Sequence, residues 1–84
     1  MNWKEIKDIE NGVEYLKKEF KFDDFISAWA FMNKVALIAE KLGHHPDWSN
    51  SYNKVIIMLS SHDAGNIITE KDRNLAKLID KLEH

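Results

Sequence analysis

Apolar positions along this 84-residue chain fall into segments of different period. Between Asp23 and Leu42, the residues Phe25, Trp29, Met32, Ala36, Ala39 and Leu42 recur every three or four positions, which predicts a helix with one face in the core. Asp23 offers an N-cap, and Gly43 can take the left-handed conformation that stops a helix. Residues 53–60, "NKVIIMLS", are rich in β-branched side chains and too short for a typical helix, so they read as a strand. Val55, Ile57 and Leu59 form one row of that strand and Ile56 and Met58 the other. One face is therefore expected to meet helices and the other a partner chain, because so short a chain has little material to cover both. From Thr69 onward, Leu75, Leu78, Ile79 and Leu82 mark a terminal amphipathic helix that Thr69 can cap. The first 22 residues are ambiguous. Ile6, Ile9, Val13, Leu16 and Phe20 fit a helical spacing, whereas Asn11-Gly12 is a strong hairpin signal. Pattern alone leans to helix there.

Composition narrows the function classes. The chain has the length of one small domain, residues 1–84, with 44% hydrophobic residues and a core thin enough to favour self-association. A net charge of −2 and a pI near 6.0 give no basic footprint for phosphates, so no direct nucleic-acid binding is expected. The N-terminus is charged throughout and no stretch approaches the length of a membrane span, which points to a cytoplasmic protein with no membrane partner. The lack of cysteine excludes disulfides, thiolate catalysis and sulfur-ligated zinc.

The candidate chemistry lies in histidines. His44 and His45 follow a predicted helix end and precede the single proline, Pro46, while His62 follows the predicted strand. Pro46 biases His45 toward extended backbone, so the two neighbouring rings should diverge and cannot do the same job. An imidazole titrates near pH 6.5, so one histidine can donate a proton while another accepts one. The competing reading has His44 and His45 capping the preceding helix through its free carbonyls, with His62 an ordinary loop residue; spacing alone leaves the two balanced. A metal site is the weakest of the three, since diverging neighbours rarely supply two ligands. Trp48 and Tyr52 could wall a pocket for a flat ring or simply belong to the core. Asp72, three residues after Thr69, could complete a capping box or orient a histidine, and Glu40 could be a solvated helix residue or hold an imidazole in one tautomer.

Taken together, Glu40, "GHHP" at 43–46, Trp48, Tyr52, "NKV" at 53–55, His62, Gly65 and Asp72 resemble the pterin-4a-carbinolamine dehydratases, as does "FKFDDFISAWAFMNKVALIAEKLG" at 20–43. The resemblance covers nearly the whole chain. It implies an α+β fold, a four-stranded antiparallel sheet with helices packed on one face, here without the family's N-terminal helix, forming homodimers or homotetramers partly through the sheet. On that footing Trp3 to Phe20 becomes a hairpin turning at Asn11-Gly12. The implied reaction dehydrates a 4a-hydroxytetrahydropterin with no metal or organic cofactor. His44 and His62 would handle protons, and His45 would hold the substrate and its leaving hydroxyl. Asp72 would orient an imidazole or bind the pterin, Glu40 would support His44, and Trp48 would shape the pocket. By family analogy the alternatives are a dimerisation partner of a transcription factor and a non-catalytic pterin-binding module. The segment between His62 and Asp72 is one residue longer than the family's commonest spacing.

Overall fold

The N-terminal segment forms a hairpin. In the computed structural model, which describes residues 2–82, strand β1 (Lys4–Asp8) pairs antiparallel with β2 (Val13–Lys21). Asp8 accepts hydrogen bonds from the Asn11 backbone N–H (3.1 Å) and side-chain amide (2.7 Å), and Gly12 takes a positive φ of 69° to close the turn. The helical spacing of this segment loses because β2 is paired on both sides, with β1 on one and β4 (Lys54–Leu59) on the other. Ladder bonds on two flanks outweigh a local pattern.

The remaining strand, β3 (Asp47–Ser51), has the sequence DWSNS, which the hydrophobic pattern did not single out. It is an edge strand whose alignment comes from its neighbour, with Asp47 opposite Met58 and Ser51 opposite Lys54. The Asn50 amide reinforces the tight turn to β4 by donating to the carbonyls of Tyr52 and Lys54. The sheet order is β1-β2-β4-β3, antiparallel throughout. Helices α1 (Phe25–Leu42) and α2 (Glu70–Leu82) cover one face, and a short 3-10 turn (His62–Ala64) links β4 to α2. This is the α+β architecture expected.

Strand β4 divides as its alternation predicts. Val55, Ile57 and Leu59 are wholly buried beneath the helices, whereas Ile56 and Met58, on the open face, are half-buried. Leu16 and Phe20 of β2 join the buried row and meet Phe31 and Val35 of α1 and Leu75 and Ile79 of α2. Each such side chain stabilises the fold by roughly 1.5–3 kcal/mol through burial.

Two details of α1 differ from the sequence reading. The N-cap is Asp24, whose carboxylate accepts the Ser27 backbone N–H at 2.8 Å, not Asp23. The buried stripe is Ala28, Phe31, Val35 and Ala39, while Phe25, Trp29, Ala36 and Leu42 are exposed and Met32 is half-buried. The helix carries two apolar stripes at helical spacing, and periodicity alone cannot say which one meets the sheet. Among the described residues no helix is long and apolar enough to cross a membrane.

Candidate functional site

The end of α1 is capped by backbone, which frees the histidine rings. The Gly43 N–H donates to the Glu40 carbonyl and the His44 N–H to the Ala39 carbonyl, both at 3.1 Å, with Gly43 at φ 65°. That is a Schellman motif, and it satisfies two of the terminal carbonyls that the histidine side chains were one candidate to cap.

The His44 ring turns instead toward α2. Its Nε2–H donates to Asp72 Oδ1 at 2.5 Å. Asp72 is completely buried, and its other oxygen, Oδ2, accepts from the Thr69 backbone N–H (2.9 Å) and the Ser61 hydroxyl (2.7 Å). The two roles weighed for Asp72 are thus divided between its oxygens: Oδ2 closes the helix N-terminus and Oδ1 holds the imidazole. Because Ser61 gives its proton to the carboxylate, the contact between the Ser61 and Thr69 hydroxyls (2.6 Å) must have Thr69 as donor. Three donors around one carboxylate offset the cost of taking it out of water. The tautomer follows: with Nε2 protonated toward Asp72, Nδ1 of neutral His44 is a lone-pair acceptor, and no described residue is hydrogen-bonded to it. His44 lines a cavity of about 130 Å³ together with Leu42, Lys71 and Asn74.

His45 points elsewhere, as the proline-restricted backbone implies. Its Nε2–H donates to Glu40 Oε1 at 2.9 Å on an exposed surface. Glu40 therefore holds His45 and not, as expected, His44.

His62 opens the 3-10 turn, where its Nδ1–H donates to Asn66 Oδ1 at 2.6 Å. A second cavity, of about 310 Å³, is lined by His62 and Asn66 with Tyr15, Asp47, Met58 and Ser60 among others, on the open side of the sheet. Lys71 bridges α2 to this turn through Asp63 at 3.1 Å, and that hydrogen bond, with the lysine's charge, holds the exposed Asp63 carboxyl below the usual range.

The aromatics stand apart from the histidines. Trp48, opposite Ile57 on the helix-facing side, packs half-buried against the core, and Tyr52 is exposed in the β3–β4 turn at φ 52°. Neither lines the two cavities that contain histidine. Among the described residues, no three histidine or acidic side chains are grouped so that they could hold a metal ion.

Sequence reasoning passed over Ser61 and Asn66. The signal for Ser61 was its register: two residues beyond the strand, it is carried to the α2 N-terminus by an antiparallel bridge to Ile67. Asn66 was visible only as part of a Gly-Asn break.

An antiparallel sheet with two helices on one face and singly anchored imidazoles at its strand and helix ends defines the class: a small α+β domain. The sequence profile described as "Pterin 4 alpha carbinolamine dehydratase" matches residues 1–82, and the chain belongs to that family. A protein of Prochlorococcus marinus (strain NATL2A) named "Putative pterin-4-alpha-carbinolamine dehydratase" is 61% identical over 67 residues, covering 80% of this chain and 70% of that protein. A solved structure described as a transcriptional coactivator/pterin dehydratase from Brucella melitensis superposes with a TM-score of 0.86 at 39% identity, covering 98% of this chain and 82% of its own. Another, a pterin dehydratase-like protein described as a RuBisCO assembly factor in the alpha-carboxysome, gives a TM-score of 0.79 at 26% identity, covering 98% and 89%.

Proposed function

We propose that the chain is a hydro-lyase that converts a 4a-hydroxytetrahydropterin into a quinonoid dihydropterin. The reaction breaks the C4a–O bond, removes the proton on N5, forms the C4a=N5 double bond and releases water. It needs a base for N5 and an acid for the departing hydroxyl, both working near neutral pH.

The observation that carries this reading is that His44 and His62 each have one ring nitrogen committed to an oxygen acceptor, leaving the other as a proton-accepting site. Either ring can act as base when neutral and as acid once protonated. In this reading His44 and His62 move the protons, His45 holds the substrate hydroxyl, Asp72 and Glu40 fix the imidazoles of His44 and His45, and Trp48 supports the site from the core. The protein works in the cytoplasm as a homodimer or homotetramer, without a metal or organic cofactor.

The test follows dehydration of freshly generated 4a-hydroxypterin by ultraviolet absorbance, with wild type and His62→Ala. The variant is expected to lose roughly 100-fold or more of the catalysed rate, the scale of general acid–base catalysis. Full turnover by His62→Ala contradicts the assignment.

A second reading, a binding module, is favoured by one feature. Phe25, Ile26, Trp29 and Leu37 of α1 are exposed, and the Phe25 and Trp29 rings stack at 6.0 Å. Apolar surface of this kind suits association with another chain. A wild type that binds a partner and gives no rate above the spontaneous reaction would support this alternative.

A further inference from the structure

His62 is held by a side chain whose own backbone has almost no freedom. The Asn66 N–H donates to the Ser61 carbonyl at 2.9 Å, and the Asn66 carbonyl accepts the Glu14 N–H of β2 at 2.8 Å. Ser61 in turn donates its N–H to the Ile67 carbonyl at 2.9 Å, which closes the loop on itself. Asn66 sits at φ 62°, in the left-handed region that asparagine tolerates better than most residues. A loop pinned from both flanks thus presents Oδ1 to the His62 ring at 2.6 Å.

We propose that Asn66 is a positioning residue for His62: its amide oxygen fixes the ring as the Nδ1–H tautomer and reserves Nε2 for the substrate proton. This rests on the dehydratase reading above for its consequence in turnover, but not for its geometry. An acceptor on one ring nitrogen dictates which nitrogen is left to do chemistry, and such partners commonly matter by tenfold or more. The contact does this at an exposed histidine, where water would otherwise set the tautomer. Histidine in water favours the opposite, Nε2–H form.

Asn66→Gly separates this role from a structural one. Glycine adopts φ 62° without strain, and both backbone bonds of residue 66 remain, so only the amide is lost. Nitrogen-15 NMR of the His62 ring above its titration, thermal unfolding and steady-state turnover are compared for wild type, Asn66→Gly and Asn66→Asp. Wild type is expected in the Nδ1–H form. Asn66→Gly should shift toward Nε2–H and lose roughly tenfold in kcat without a fall in Tm. Asn66→Asp, which keeps an oxygen acceptor, should restore the Nδ1–H form and most of the rate. An Nε2–H ring in wild type, or a tautomer unchanged in Asn66→Gly, overturns the inference. If wild type shows no turnover at all, the dehydratase reading fails, and the ring tautomers alone decide the role of Asn66.

Discussion

His44 and His45 are adjacent in the chain, and each donates an Nε2–H to a carboxylate, yet the two pairs live in different media. The side chains of His44 and Asp72 are 11% and 0% exposed, whereas those of His45 and Glu40 are 65% and 81% exposed. Water competes for every group in the second pair and for almost none in the first. The contrast shows how one sequence motif yields two kinds of histidine. The first is locked into the fold through α2 and Ser61, and the second is held only by a neighbour from the helix just before it. A buried carboxylate with three donors cannot lose a partner cheaply, while an exposed ion pair contributes little to stability.

The largest effect is expected where the buried side of this contrast is broken outright. Asp72→Ala strands the His44, Ser61 and Thr69 donors in a dry site and should cost about 3–5 kcal/mol. Thermal unfolding should show a Tm lower by roughly 12 °C or more. A smaller cut sharpens the point. Ser61→Ala removes one donor to Asp72 and leaves the Thr69 hydroxyl without its acceptor, which should cost about 1–3 kcal/mol in urea unfolding.

Asp24 lies between the extremes, because it is exposed but bonded to a backbone N–H. Its hydrogen bond from the Ser27 backbone holds its carboxyl below the usual range. A depressed carboxylate contributes stability above its unfolded pKa of about 3.9, and that contribution is lost as the pH falls through the lower folded value. The Asp24→Asn variant keeps a neutral cap, so it and wild type should differ in Tm at pH 7 and converge at lower pH; a difference independent of pH would contradict this. The smallest effect belongs to the exposed pair, where Glu40→Gln should leave Tm unchanged within error. A large drop there would erase the contrast between the neighbours.

The legible parts of the molecule were those where one local signal had one physical meaning. The alternation of Val55 to Leu59 had only one arrangement to describe, and the glycine at 43 stops a helix wherever it lies. Ambiguity came from signals with two solutions. Helix α1 has a second apolar stripe, and the stripe with Trp29 and Leu42 was the one left outside. Strand β3 has no hydrophobic pattern of its own and exists through its ladder with β4. The hairpin at Asn11-Gly12 was settled by family resemblance, because the partners that outweigh its helical spacing are distant in sequence. The histidines themselves were plain to see, but not their holders. Whether Glu40 meets His44 or His45 depends on how the chain leaves Gly43, and the Asn66 contact on how a loop is pinned by β2 and Ser61.

The central claim is that His44 and His62, anchored by different elements, serve one reaction. Comparing 4a-hydroxypterin dehydration by wild type, His44→Gln, His62→Gln and the double variant tests it most directly. Groups that act as a unit are not additive, so each single variant should lose nearly as much of the catalysed rate as the double. A wild type no faster than the spontaneous reaction, or single variants that both retain full turnover, would contradict the account.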